Sequence, residues 1–306
     1  MGERFAIGLD LGGTELKAVR LSRAGQVERF LARPSGVRET RETPLASLAG
    51  CAMALLDGQS DDAVGVGCGC PGVIRPEDGS LVDRTAHLPH WKGTPVRDEL
   101  ARRLALPVAV DNDANLAALA EHRLGAARTA RVCVAITLGT GVGCGIVIEG
   151  RIFRGAWGGA GELGHVPLGS GHSGCACGVA GCAEAEASAA GLTQSARALG
   201  LEPAEAGTVF ARAATGHRGA MEAVERFTER LGALVATAVD LLNPDMVVLG
   251  GGLARSGDVW IELLRRAVAR HALPSHVGAL EIELAAFGER AGAVGAGLLA
   301  WDRFGG

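Results

Sequence analysis

A group of histidine and cysteine residues within positions 162–184 has the composition of a metal site. His165 is followed by Cys175, Cys177 and Cys182, and glycines surround the three thiols. Three thiolates and one imidazole complete a tetrahedral zinc site, and a zinc site without a vacant position is structural rather than catalytic. The spacing therefore predicts one structural zinc ion that shapes this loop, bound by His165, Cys175, Cys177 and Cys182.

Two other interpretations of these thiols stay open at this point. Reduced cysteines can stand in a glycine-rich loop without binding a metal, and cysteines of secreted proteins form disulfides. The disulfide interpretation has less support, because Met1–Phe5 leads directly into a strand pattern and shows no features of a secretory leader. We expect a cytoplasmic protein.

A Gly-Gly turn near the N-terminus has the residues that hold a phosphate. Apolar residues from Phe5 end at Asp10, and a second strand pattern begins after Gly12, Gly13 and Thr14. The pattern predicts a β-hairpin, which by itself can be purely structural. Asp10 adds a carboxylate for a metal ion, and the turn adds backbone N–H groups and a hydroxyl.

A second strand ends in acidic and amide side chains. Val108–Val110 is followed by Asp111, Asn112 and Asp113, after which apolar residues recur with helical spacing. Asp113 can be an ordinary helix N-cap. It can also orient and deprotonate a substrate hydroxyl, because ligands of open α/β sheets bind beyond the carboxyl ends of the strands.

Three further glycine-containing turns are candidate ligand contacts. The strand pattern up to Leu138 is followed by a Gly-Thr-Gly turn and a partner strand, which repeats the logic of the first hairpin and suggests a duplicated half. Met246–Leu249 runs into three glycines and then a helix, and Gly72 follows another buried strand. A plain turn explains each of these separately. The residues concerned are Gly72, Gly139, Thr140, Gly141, Gly250, Gly251 and Gly252.

Composition excludes several classes of protein. The chain has 306 residues, of which 48% are hydrophobic and 21% charged, with a formal net charge of −4. These values are typical of a globular protein with about two domains. The charge gives no electrostatic footprint for nucleic acid or an anionic membrane, and no apolar run is long enough to span a bilayer. We therefore expect small-molecule ligands.

With these motifs in place, the sequence resembles the ROK family of bacterial sugar kinases and repressors. The resemblance covers nearly the whole chain and rests on DLGGT from Asp10, VDND from Val110, LGTGVG from Leu138, and ELGH…CACGVAGCAE from Glu162 to Glu184. It implies the actin-like, hexokinase-like (ribonuclease H-like) α/β fold with two domains and an interdomain cleft. The domains are expected at residues 1–115, with the helix 290–306 packing back on them, and at residues 116–289.

The resemblance also implies a reaction and a role for each motif. The reaction is transfer of the γ-phosphoryl group of ATP to the 6-hydroxyl of a hexose, with glucose as the first choice. Asp113 resembles the catalytic base, Asp10 a Mg²⁺ ligand, and the two hairpin turns the phosphate contacts. Gly250–Gly252 would approach the adenosine. The expected sugar ligands are Gly72, Asn112, Asp113, Glu162, His165 and Glu184.

Departures from the family pattern leave the sugar open. His87 stands before Leu88-Pro89, where glucose-phosphorylating members often carry Asn; Cys144 replaces a usual glycine, and Glu15 a frequent basic residue. Kinases for N-acetylglucosamine, N-acetylmannosamine, mannose or fructose are the alternatives within the family. A sugar-responsive repressor has less support, since such members carry an N-terminal DNA-binding module. The resemblance also favours a homodimer or homotetramer.

Overall fold

The computed structural model of the protein describes residues 3–37, 39–82, 88–168, 175 and 177–306. The strands are β1 Phe5–Leu11, β2 Glu15–Ser22, β3 Val27–Pro34, β4 Ala63–Cys70, β5 Val108–Asn112, β6 Val132–Leu138, β7 Val142–Ile148, β8 Arg151–Ile152, β9 Met246–Gly250 and β10 Glu281–Leu284. The helices are α1 Glu42–Leu56, α2 Val96–Leu104, α3 Asp113–Arg123, α4 Glu184–Ala187, α5 Ala189–Ala198, α6 Ala206–Ala214, α7 Arg218–Leu242, α8 Gly257–His271, α9 Pro274–Val277 and α10 Ala291–Phe304.

The chain forms two compact units, each with its own sheet. Unit 1 comprises Met1–Gly125, Gly150–Ala160 and Arg290–Gly306, and unit 2 comprises Ala126–Glu149 and Gly161–Glu289. In unit 1 the strands lie in the order β3-β2-β1-β4-β5, with β1, β2 and β3 antiparallel and β4 and β5 parallel to β1. Unit 2 repeats this arrangement, because β6 and β7 form an antiparallel hairpin and β9 and β10 are added parallel to β6.

The division into units differs from the expected boundary between residues 115 and 116 in two places. That boundary lies inside α3, whereas the whole helix belongs to unit 1. The reason is its contact with α10, which is so close that a Cβ atom on Gly295 would overlap the carbonyl oxygen of Leu116. Residues 150–160 also belong to unit 1, although the chain segments on both sides of them belong to unit 2.

Helix α10 packs on the sheet of unit 1 through backbone contacts that only glycine allows. A Cβ atom on Gly8 of β1 would overlap the carbonyl oxygen of Ala293, and one on Gly67 of β4 would overlap that of Ala296. These contacts bring α10 close against β1 and β4. The same contact brings Gly292, at the start of α10, against the carboxylate of Asp10.

Unit 2 is organised around the amphipathic helix α7. Its buried face carries apolar residues at helical spacing, and three aromatic rings meet edge to face where α6, α7 and α8 pack: Phe210 and Phe227 at 6.1 Å, and Phe227 and Trp260 at 6.0 Å. The helix ends at Asn243, which has left-handed backbone angles, and Pro244 follows. None of the described helices combines the length and apolar character of a membrane span.

Candidate active site

The first group of candidate site residues lies at the strand ends of unit 1, on either side of Gly69. A Cβ atom on Gly69 would lie 3.4 Å from Oδ1 of Asp10 and 3.5 Å from the Cα atom of Asp113. Asp10 stands near the end of β1, and Asp113 follows β5 directly. Strand β4 lies between β1 and β5, so residues 103 positions apart in sequence become neighbours.

The electrostatics of this carboxylate pair favour a cation. Burial and the neighbouring charge of Asp113 raise the pKa of Asp10 to about 7, while Lys17 acts in the opposite direction. Lys17 is the residue opposite Asp10 in the β1/β2 hairpin. A magnesium ion would stabilise both ionised carboxylates, and carboxylate oxygens are the ligands it prefers.

Asn112, rather than Asp113, is the N-cap of α3. The Asn112 Oδ1 atom accepts hydrogen bonds from the N–H groups of Ala114 at 2.9 Å and Asn115 at 3.1 Å, and its Nδ2 atom donates to the Gly72 carbonyl at 3.1 Å. The interpretation of Asp113 as an N-cap is therefore wrong, because the cap lies one residue earlier. Asp113 is the first helical residue, and its Oδ1 atom accepts from the Ala114 N–H at 2.9 Å. The structure thus brings Gly72 and Asn112 together.

The hairpin turn of unit 1 is closed by its own backbone. The Gly12 N–H donates to the Glu15 carbonyl at 3.0 Å, and the Thr14 carbonyl accepts from the Ser35 N–H at 3.0 Å. A Cβ atom on Gly12 would lie 2.7 Å from that Glu15 oxygen, so the tight turn requires glycine. The turn Gly12–Thr14 directly follows the strand that carries Asp10.

The second group lies in unit 2, where the segment that carries Glu162 and His165 packs against strand β7. A side chain on Gly161 would overlap the carbonyl oxygen of Cys144, and one on Gly164 would overlap that of Val142. These contacts hold the segment against the β6/β7 hairpin. The His165 Nε2 atom lies 3.6 Å from Oε2 of Glu162, and its Nδ1 atom lies 3.7 Å from Sγ of Cys175.

Glu184 joins the expected sugar ligands of unit 2 to its glycine turn. Its Oε2 atom accepts the Val142 N–H at 2.9 Å, and Gly141 lies so close that a side chain there would overlap this carboxylate. The turn is held from the other side, because the Gly139 carbonyl accepts the Ala189 N–H at 2.9 Å. An expected sugar ligand and an expected phosphate turn are therefore in direct contact.

The glycine run after β9 lies beside the same turn. Gly251 has a left-handed φ of +82°, and a side chain there would overlap the backbone of Leu138, the residue before Gly139. Two of the expected nucleotide segments, Gly139–Gly141 and Gly250–Gly252, are thus neighbours. Strands β6 and β9 pair in parallel and end at the same edge of the sheet.

The four expected zinc ligands converge. One ligand atom from each of His165, Cys175, Cys177 and Cys182 lies within 4.8 Å of the others. The Sγ atoms of Cys177 and Cys182 are 3.3 Å apart. Ligand atoms around tetrahedral zinc with bonds near 2.3 Å are separated by about 3.7 Å, so the donor set and its spacing both fit this ion.

The acid–base behaviour of these thiols also fits a metal site. Burial, followed by the neighbouring Cys177 and Cys175, raises the pKa of Cys182 to about 12, and burial raises the pKa of Cys175. Three crowded thiolates are costly by themselves, whereas a bound divalent cation favours the ionised form. The backbone anchors the cluster, because the Ala183 N–H donates to the Val166 carbonyl at 2.9 Å.

Sequence reasoning missed an ion pair behind the first group. Arg154 donates to the buried carboxylate of Asp111, the residue before Asn112, with Nε at 2.7 Å from Oδ2. Asp111 looked like one more polar residue at a strand end, and Arg154 resembled many other arginines in the chain. His87, which bears on the sugar, lies outside the described residues.

Comparison with known proteins identifies the family of this chain. The ROK family model matches residues 6–303. A glucokinase from Thermotoga maritima is 35% identical over 314 residues, which cover 98% of this chain and 98% of that protein. A putative xylose repressor from a Caldicellulosiruptor species is 31% identical over 307 residues, which cover 94% of this chain and 76% of the repressor.

A solved structure extends the similarity to the fold. The ROK family glucokinase from Streptomyces griseus, crystallised with glucose and AMPPNP, superposes with a TM-score of 0.84 at 28% identity, over 97% of this chain and 99% of that one. The expected actin-like, hexokinase-like fold is therefore confirmed. Since the family model spans nearly the whole sequence and its motifs form two ordered groups of side chains, this chain belongs to the ROK family.

Proposed function

We propose that this chain transfers the γ-phosphoryl group of ATP to the 6-hydroxyl of a hexose, and that glucose is its principal acceptor. The similarity to glucokinases over almost the full length makes it an ATP-dependent sugar kinase. The observation that carries the chemistry is the pair of carboxylates on either side of Gly69. Phosphoryl transfer needs charge stabilisation and a positioned base, and this pair can supply both.

Asp113 is the base in this proposal. It removes the proton of the sugar 6-hydroxyl as the oxygen attacks the phosphorus atom, and a positioned general base contributes on the order of 10²–10⁴ in rate. Its Oδ1 atom is held by the Ala114 N–H, which fixes the orientation of the carboxylate. Asn112 and the backbone of Gly72 bind neighbouring sugar hydroxyls.

Asp10 would hold Mg²⁺ together with the phosphate oxygens of ATP. When bound, the ion neutralises charge that develops on the transferred phosphoryl group. The turns Gly12–Thr14 and Gly139–Gly141 line the phosphates with backbone N–H groups other than those of Gly12 and Gly139, which bond within the turns. Gly250–Gly252 approach the adenosine. Glycine at these positions leaves room for the nucleotide next to the backbone.

In unit 2, Glu162, His165 and Glu184 are the proposed sugar ligands, and zinc keeps them in position. His165 would bind zinc through Nδ1, the atom nearer Cys175, so that Nε2 remains for Glu162 and the sugar. A metal bond to one ring nitrogen also fixes the tautomer of the imidazole. The ion is structural in this proposal, and it takes no part in the chemical step.

A coupled assay of ADP release with a panel of hexoses tests the activity. The panel contains glucose, mannose, fructose, N-acetylglucosamine and N-acetylmannosamine, each with Mg-ATP. Glucose should give the highest kcat/KM; a preference for another sugar would change the assigned acceptor, and no turnover with any of them would refute the kinase. Tight, sugar-dependent binding to DNA without turnover would favour a repressor instead.

The variant Asp113→Asn tests the base. Turnover should fall by at least about 100-fold, whereas glucose binding measured by calorimetry should persist, since an amide still hydrogen-bonds hydroxyl groups. Asp61→Asn, on an exposed turn of the same unit, is the matched control and should keep full activity. Unchanged turnover in Asp113→Asn would remove Asp113 from the mechanism.

We also propose a cytoplasmic location and a homodimer or homotetramer. None of the eight cysteines forms a disulfide, which suits a reducing compartment that also supplies ATP. Light scattering of the purified protein measures the number of subunits.

A further inference from the structure

Asp111 is a buried carboxylate directly before the two residues proposed to contact the sugar. Its side chain is 6% exposed, and it is surrounded by four donors. The Oδ2 atom lies 2.7 Å from Nε and 2.6 Å from Nη2 of Arg154, and the Oδ1 atom accepts the Asn112 N–H at 2.8 Å and the Asn115 Nδ2 group at 2.9 Å. Both oxygen atoms are therefore hydrogen-bonded, and Arg154 supplies the only cation among these four donors.

This network determines the orientation of Asn112. Arg154 binds Oδ2 through two nitrogen atoms and two further donors bind Oδ1, so both oxygen atoms of Asp111 are held in place. Oδ1 in turn holds the backbone N–H of Asn112 and the side chain of Asn115, which is 2% exposed. Asn112 then caps α3 and reaches Gly72 with one N–H of its amide, and the second N–H of that amide is the one we assign to a sugar hydroxyl.

Arg154 itself is held by a short segment that leads to the next expected sugar ligand. Residues 150–160 belong to unit 1, and Glu162 follows two positions after them. The segment has a second anchor at Gly158, where a side chain would overlap the carbonyl oxygen of Ile74, two residues after Gly72. The segment is therefore anchored twice: Arg154 binds the residue before Asn112, and Gly158 contacts the chain just after Gly72.

We propose that Arg154 is a positioning residue for the sugar acceptor, acting through Asp111 on Asn112 and Asp113. The proposal rests on the kinase function given above. The hydrogen bonds of Arg154 go to Asp111 and to the Ile152 carbonyl, so its loss should disturb the acceptor more than the nucleotide. Lys carries the same charge but cannot bind a carboxylate through two nitrogen atoms, so it should substitute only in part.

The test compares Arg154→Met and Arg154→Lys with Arg123→Met. The control removes another arginine of unit 1 that pairs with an aspartate, Asp302, at 3.1 Å, but on the surface. In Arg154→Met the KM for glucose should rise by about 10- to 100-fold, since small misplacements of reacting groups cost this much. The KM for Mg-ATP and the zinc content should stay within about twofold of the parent values. Arg154→Lys should lie between the two, and Arg123→Met should resemble the parent.

Two outcomes overturn the proposal: an unchanged KM for glucose in Arg154→Met, or equal increases in KM for glucose and for ATP, which would indicate general loosening. Hydrogen exchange of the amides of Asn112–Asn115 without any ligand separates this proposal from the proposed function. Faster exchange in Arg154→Met but not in Arg123→Met supports the positioning role even if the parent phosphorylates no hexose. Unchanged exchange contradicts it even if the parent is an active kinase.

Discussion

Replacing Asp10 by Asn should stabilise the ligand-free protein at pH 8 and inactivate it. The pKa of this carboxyl rises from 3.8 to about 7 through burial and the charge of Asp113. A shift of roughly three units corresponds to about 4 kcal/mol. Asp10 is only partly buried, so screening by solvent reduces this cost, and we expect a gain of about 2 kcal/mol in Asp10→Asn.

The pH dependence follows from the direction of the shift. Between pH 4 and pH 7 the folded state holds a proton that the unfolded state has lost, so the destabilisation by Asp10 grows as the pH rises through this range and is complete above pH 7. Below pH 4 both states are protonated and the cost vanishes. The advantage of Asp10→Asn should therefore be smaller at pH 5 than at pH 8.

Thermal unfolding at pH 8 and pH 5, without magnesium or nucleotide, measures this difference. A gain of about 2 kcal/mol corresponds to roughly 4–8 °C in Tm for a domain of this size. Lys17→Met is a control of opposite sign, because Lys17 lowers the pKa of Asp10 and its loss should reduce Tm at pH 8. Equal Tm values of Asp10→Asn and the parent at pH 8, or a gain that does not depend on pH, would refute the reasoning.

Three further predictions concern the fold and the metal. Gly295→Ala should destabilise the protein by more than about 2 kcal/mol in urea unfolding, because its Cβ atom would overlap a carbonyl oxygen of α3. The control Gly50→Ala, in open space on α1, should stabilise it by about 0.5–1 kcal/mol. Equal effects of the two substitutions would contradict the close packing of α10. The carboxylate of Asp245 accepts two backbone N–H groups at the start of β6, and these hydrogen bonds lower its pKa. Asp245→Asn should therefore reduce the free energy of unfolding by about 1 kcal/mol at pH 7, and this loss should disappear as the pH falls below about 3.8. A loss that persists in acid would exclude this cause. Cys175→Ser should abolish stoichiometric zinc in metal analysis and weaken glucose binding more than ATP binding. The control Cys51→Ala, in α1, should retain the metal. Parent protein that contains no zinc would remove the metal from the proposal.

Local patterns in the sequence were sufficient for much of this architecture. The buried strand predicted before Gly72 is β4, Ala63–Cys70, because a continuous apolar run between turn residues has few alternatives. The convergence of His165 with three cysteines was also predictable, since these residues lie close together in sequence and their chemistry is specific. Helix α7 begins at Arg218 with the residues RGAMEA, and this mixture of small, polar and apolar side chains does not mark a helix start.

Features that depend on distant residues could not be predicted. Nothing near Arg154 distinguishes it from the other arginines, and its partner Asp111 lies 43 positions earlier. The coupling of Asp10 to Asp113 requires the strand order of the sheet, which single-sequence patterns do not contain. The assignment of residues 150–160 to unit 1 depends on the same long-range contacts.

The position of α10 also constrains how the polypeptide acquires its structure during translation. Strands β1 and β4 leave the ribosome early, yet the helix that covers their glycines is synthesised only after all of unit 2. The first sheet must therefore wait with one face uncovered, in a state that chaperones can recognise, while unit 2 can fold as soon as β10 emerges. A chain that ends at Glu289 and has been released from the ribosome should thus contain a protease-resistant second unit and a protease-sensitive first one.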